Sequence, residues 1–141
     1  MPITALDSNQ HNNFISSRLL ILATFLCLLT SGCAASINSG TLNERLSISS
    51  APLVLLDVRN RSEYRKGHLP GAVNIPVYVL PFRLVDIPTK GKDRPVVVYC
   101  AHGPRAGLAG FILRIAGYSN VLHLQGDMAG WNSAGLPVEK P

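Results

Sequence analysis

Two stretches of the chain are apolar almost without a break and rich in β-branched residues: Leu53 to Val58 (Leu-Val-Leu-Leu-Asp-Val) and Pro95 to Cys100 (Pro-Val-Val-Val-Tyr-Cys). A strand with one wet face alternates polar and apolar positions. These stretches do not, so they predict strands covered on both sides at the centre of a parallel sheet. Shorter runs, Ala72 to Ile75 and Val121 to Leu124, predict two further strands. Between them the pattern predicts helices over Thr41 to Ser47, Ser62 to Lys66, Val77 to Val85 and Pro104 to Ala116, with a short turn near Asp127 to Trp131. The helix from Pro104 is the best marked: proline opens it and Gly117 is placed to end it. Leu108, Ile112 and Ile115 share the face expected to pack, and Gly107 and Gly110 are expected to let the helix approach the sheet closely. Parallel neighbours need crossover connections, so the alternation of strands and helices predicts an α/β fold, a small mostly parallel sheet with helices on both faces. Ligands in such sheets bind beyond the C-terminal ends of the strands.

With 141 residues there is room for one domain and a leader. A hydrophobic share of 47% against 15% charged residues excludes a chain disordered throughout. The formal charge of +5 suits small anions or lipid headgroups, but the basic residues form no run, so no nucleic-acid partner is expected. Leu19 to Thr30 is an uncharged apolar run with Arg18 before it and Ser31, Gly32 and Cys33 after it. It is shorter than the roughly 20 residues a spanning helix takes, and its flanks give it the form of a secretory signal. Leu29-Thr30-Ser31-Gly32 before Cys33 resembles a bacterial lipobox, which implies cleavage and lipidation of Cys33. Residues 1–32 are therefore read as the signal, 33–40 as a lipidated tether and 41–141 as the globular domain. The expected location is the cell envelope, membrane-anchored through lipid and facing the periplasm. A buried core helix or an uncleaved signal anchor is the competing reading of the apolar run. After cleavage and lipidation Cys100 is the remaining thiol, which excludes an internal disulfide.

Cys100-Ala101-His102-Gly103-Pro104-Arg105 brings a thiol, an imidazole and a guanidinium together where the strongest strand meets the clearest helix. A strand that turns sharply into a helix aims unpaired N–H groups at the sulfur, and the positive end of the helix dipole favours a thiolate there. Arg105 adds a planar fork of donors for a bound oxyanion. Gly103 allows a close backbone approach, and Pro104 removes one amide donor. Cys100 and Arg105 are thus the candidate catalytic residues, with Ala101, His102, Gly103 and Pro104 as the candidate substrate-binding loop. The alternative for Cys100 is plain core packing, and for His102 an exposed position without a role. His123, in an apolar strand, reads as structural. The chain after Cys33 offers one Cys and three His with no paired spacing, so no metal is expected. Gly103, Gly107 and Gly110 lack the spacing of a nucleotide loop, so no cofactor is expected either.

From about Leu42 to Val138 the chain resembles the rhodanese-like sulfurtransferases. Leu56-Asp57-Val58-Arg59, Glu63-Tyr64 and Gly67-His68-Leu69-Pro70-Gly71-Ala72-Val73-Asn74-Ile75-Pro76 are similar to the family's first signature block. Cys100, Gly103 and Arg105, followed by Ala109, Leu113 and Gly117, resemble the active-loop block, and Leu124, Gly126, Trp131, Gly135 and Pro137 the closing one. The resemblance implies a rhodanese-like sandwich in which Cys100 takes a sulfane sulfur from an anionic, thiosulfate-like donor or a persulfide and passes it to cyanide or a thiol. It also implies that Arg105 attracts the donor and that Asp57 and Arg59 lie near the loop, Arg59 as a substrate contact or as the structural partner of Asp57. The chain departs from the pattern at Ala101, Ala106 and Asp127, where thiosulfate users often carry a cation, a serine and a second glycine. That leaves a persulfide or polysulfide donor open beside thiosulfate.

Two rival functions share the loop. A cysteine-loop phosphatase or arsenate reductase places five residues between Cys and Arg, whereas four stand here, a tighter loop that suits a sulfur atom better than a tetrahedral oxyanion. A non-catalytic module that holds or senses sulfur would use the same fold, and the intact Cys-Gly-Arg set argues against it.

Overall fold

The computed structural model describes residues 35–48 and 53–141. The chain divides into two units, Met1–Cys33 and Ala34–Pro141, and every described residue lies in the second. The expected signal and the lipidation site Cys33 fall outside the described residues.

Five strands, β1 (Ser36–Ile37), β2 (Val54–Asp57), β3 (Val73–Asn74), β4 (Val96–Tyr99) and β5 (Val121–Leu124), form one sheet in the order β1-β5-β4-β2-β3. All the pairs are parallel. Three helices lie between them, α1 (Ser39–Ser47), α2 (Arg61–Lys66) and α3 (Pro104–Ile115), and a fourth, α4 (Asp127–Ser133), follows β5. Side chains alternate across each strand, so the continuous apolar runs feed two cores at once. Val54, Leu56, Val96 and Val98 pack on one face with Ala106, Ala109 and Leu113 of α3. Leu55, Val97 and Tyr99 pack on the other with Leu42 of α1 and Met128 and Trp131 of α4. Pairing from Val54 with Val96 to Asp57 with Tyr99 ends β2 and β4 level, which brings the loops after them side by side.

Four expectations change. The stretch read as a tether is not free over its second half: Ile37 is buried, β1 pairs with β5, and the Asn38 side chain accepts the Thr41 N–H at 2.8 Å to cap α1. No continuous helix covers Val77 to Val85. Two 3₁₀ turns, Leu80–Phe82 and Leu84–Asp86, stand there instead, because Pro81 cannot donate the i→i−4 bond that an α-helix needs. Next, α3 packs through Ala106, Ala109, Gly110 and Leu113, while Leu108 (53%) and Ile115 (72%) are exposed. Small residues and Leu113 face the sheet, and of the expected face Ile112 is the one that packs against this core. Finally, a Cβ on Gly107 would meet nothing within 4 Å and one on Gly110 would make an ordinary 3.8 Å contact with Val121, so neither glycine is required for close packing. No helix among the described residues is long and apolar enough to cross a membrane.

Candidate active site

Cys100 follows β4 directly and Pro104 opens α3, so residues 100–104 make the strand-to-helix turn. Proline at the first helical position gives up an N–H that no helical carbonyl would have used. Gly103 has φ +113, a backbone that L side chains rarely adopt. Its Cβ would find ordinary room, 3.5 Å from Asp127 Oδ2, so the angle and not the space requires glycine. In that conformation the Gly103 N–H donates to Cys100 Sγ at 3.1 Å. Cys100 itself is 1% exposed and belongs to the core that α3 covers. The sulfur therefore sits among aliphatic groups on one side and under an amide hydrogen on the other. His102 and Pro104 are exposed, and Ala101 and Gly103 half-buried.

The backbone at the cysteine is held from α4. The Cys100 N–H donates to Asp127 Oδ1 at 2.7 Å, the Cys100 carbonyl accepts the Met128 N–H at 3.0 Å, and the Ala101 carbonyl accepts the Ala129 N–H at 3.3 Å. Asp127 Oδ2 lies 3.1 Å from His123 Nε2. His123, read from sequence as structural, therefore reaches the loop through Asp127.

Arg105 lies one position into α3. Its Nη1 and Nη2 donate to the two carboxylate oxygens of Glu63 at 2.7 and 2.8 Å. Glu63 in turn accepts the Asn60 N–H at 3.0 Å, so the residue that caps α2 also ties that helix to α3. The hydrogen bond to Glu63, opposed by partial burial and helped by the charges of Glu63 and Cys100, raises the Arg105 pKa above its ordinary value. The Arg105 hydrogen bond, again against partial burial, lowers that of Glu63 to about 2. A carboxylate depressed in the folded state stabilises the fold above its unfolded pKa of 4.5, and that contribution is lost as pH falls toward about 2. An acid titration is therefore expected to show stability falling between these values, and Glu63→Gln to flatten that part of the curve. Both side chains are about one-third exposed, so water screens the pair and the effect is modest.

Arg59 stands apart from the loop donors. It is 6% exposed, with Nε 3.0 Å from both oxygens of Asp57, Nη2 on the Gly67 carbonyl at 2.8 Å and the guanidinium 5.7 Å from the Tyr99 ring centre. Burial alone would lower its pKa; the Asp57 hydrogen bond and charge outweigh that and raise it. With Nε and Nη2 engaged in this way, Arg59 fits the structural partner of Asp57. Three side chains that sequence reasoning did not place at the site are thus attached to it: Glu63, His123 and Asp127. The Asn60-x-x-Glu63 capping spacing and the departure from glycine at Asp127 were the available signals.

The Rhodanese-like domain family model matches residues 41–134. The chain belongs to the rhodanese-like domain family. A sulfurtransferase from Allochromatium vinosum is 37% identical over 105 residues, covering 74% of this chain and 94% of that protein. An HTH-type transcriptional regulator from Mycobacterium tuberculosis is 40% identical over 90 residues, which are 62% of this chain but 38% of the regulator. The crystal structure of the Alr3790 protein from Anabaena superposes with a TM-score of 0.68 at 33% identity, covering 74% of this chain and 82% of that one. The chain thus spans nearly the whole of the sulfurtransferase and less than half of the regulator.

Proposed function

We propose that this rhodanese-family chain is a sulfurtransferase that carries one sulfane sulfur on Cys100. The observation that carries the reading is the seat of the sulfur: Cys100 Sγ at the C-terminal end of a central parallel strand, with the Gly103 N–H on it at 3.1 Å and Arg105 in the first turn of the following helix. The Cys100 thiolate attacks the outer sulfur of a donor. With thiosulfate, the donor S–S bond breaks, sulfite leaves with the bonding pair, and Cys100 keeps the sulfur as a persulfide anion. With an organic persulfide, the leaving group is the corresponding thiolate. Cyanide or an acceptor thiolate then takes the outer sulfur, and the Cys100 thiolate returns. The two half-reactions predict ping-pong kinetics. Cys100 is buried beneath the turn, and the exposed His102 and Pro104 form the outer side from which a donor reaches it.

The test is intact-mass spectrometry of the purified chain after exposure to thiosulfate or to a small persulfide, followed by cyanide. A gain of one sulfur atom that cyanide removes is expected, and no gain from either donor overturns the reading. Burial of Cys100 also supports a second reading, a module that holds sulfur without passing it on; a gained sulfur that no acceptor removes would favour it.

The lipid anchor belongs to the same proposal. The apolar run Leu19 to Thr30 and the Leu29 to Cys33 segment support export to the cell envelope with lipid on Cys33, each buried methylene adding about 0.8 kcal/mol of membrane attachment. Labelling with palmitate in a bacterial host is expected to tag the full chain and not its Cys33→Ser variant; an unlabelled, soluble full chain removes the anchor.

A further inference from the structure

Asp127 has a backbone φ of +52, alone in that region among the described non-glycine residues. Glycine holds such a conformation without strain, whereas an aspartate does not. The side chain there is directed to the cysteine. It is 4% exposed, one oxygen accepts the Cys100 N–H at 2.7 Å, and the other lies 3.5 Å from where a Cβ on Gly103 would stand. The carboxylate is therefore beneath the loop that closes over Sγ, on the amide of the residue that carries the sulfur. The terminal nitrogens of Arg105, meanwhile, are already on Glu63. The cation of the loop has its own counter-charge, and a second carboxylate faces the cysteine backbone with His123 as its basic neighbour.

The geometry points to Asp127 as a specificity-determining residue that turns the Cys100 site away from doubly charged sulfur donors and toward persulfides of low net charge. The inference rests on the proposed sulfur transfer at Cys100. Beside a neutral His123 the Asp127 carboxylate repels an incoming donor in proportion to the donor's charge, and burial limits the screening that water and salt would supply. Thiosulfate brings two negative charges to the attacking sulfur. Cysteamine persulfide, with an ammonium group and an ionised persulfide, brings no net charge. Both present an outer sulfur to the same thiolate, and the donor bond breaks in the same way, with sulfite or cysteamine thiolate taking the bonding pair.

The test compares kcat/KM for thiosulfate and for cysteamine persulfide, with cyanide as acceptor, in the full chain and in Asp127→Asn. Asparagine keeps an oxygen for the Cys100 N–H and removes the charge. The thiosulfate-to-persulfide ratio is expected to rise about tenfold, whatever happens to the absolute rates. Asp127→Gly, for which the backbone angle is unstrained, is the second variant and is expected to move the ratio the same way should the asparagine chain not fold. A rise of less than about fivefold in the folded variants, both donors changing in parallel, means that Asp127 only holds the loop and overturns the inference. A wild-type chain that takes sulfur from neither donor overturns the sulfur-transfer reading itself, so the two failures are distinguishable.

Discussion

Cys100→Ser is expected to cut sulfur transfer by at least about a thousandfold while leaving the fold within about 1 kcal/mol of wild type. The serine hydroxyl remains protonated at neutral pH and cannot form a sulfur–sulfur bond, so the step that makes the persulfide is lost and not merely slowed. The folded state, by contrast, loses little. The oxygen can still take the Gly103 N–H that now lies 3.1 Å from Sγ, and the Cys100 backbone keeps its bonds to Asp127 and Met128. Steady-state transfer from thiosulfate to cyanide and a thermal melt check the two halves separately. A Cys100→Ser chain that turned over, or that gained a sulfur atom, would remove Cys100 as the carrier.

The largest expected loss of stability comes from Asp57→Ala, about 3–5 kcal/mol. Asp57 is fully buried at the end of β2, where it accepts the Arg59 backbone N–H at 2.9 Å as well as the guanidinium, whose Nη2 lies 2.5 Å from Oδ2. Removing the carboxylate strands a cation that is 6% exposed, with the Gly67 carbonyl as its remaining hydrogen-bond partner. A domain stable by about 5–15 kcal/mol would keep a much smaller margin. Urea melts of Asp57→Ala, Arg59→Met and Asp57→Leu with Arg59→Met measure this directly. The double variant is expected to be milder than Asp57→Ala, because it removes both charges together. Should Asp57→Ala melt within about 1 kcal/mol of wild type while Arg59→Met raises KM for the donor, Arg59 would return to the substrate.

Several of these elements could be read from the amino acids because their causes are local. The β2 and β4 runs are apolar on both sides because both sides are covered, and Pro104 and Gly117 bracket α3 through their own backbone geometry. The packed face of α3 was not legible. Its residues are nearly all small or apolar, so helical periodicity alone does not choose between the face of Leu108, Ile112 and Ile115 and the face of Ala106, Ala109, Gly110 and Leu113 that is buried. β1 escaped notice because two residues carry no period. The attachment of Asp127 to Cys100 spans 27 residues of sequence and depends on a left-handed backbone angle, and neither leaves a pattern along the chain.

Short as it is, β1 works as a selvedge for the sheet. The carbonyls of Ala35 and Ile37 accept the N–H groups of His123 and Gln125, each at 2.9 Å. A polypeptide trimmed to begin at Thr41, where the family match begins, would leave both amides bare along β5 and offer them to the strand of a neighbouring copy. The same cut would loosen the strand that carries His123, so unravelling at this border would travel by way of Asp127 to the backbone of the cysteine.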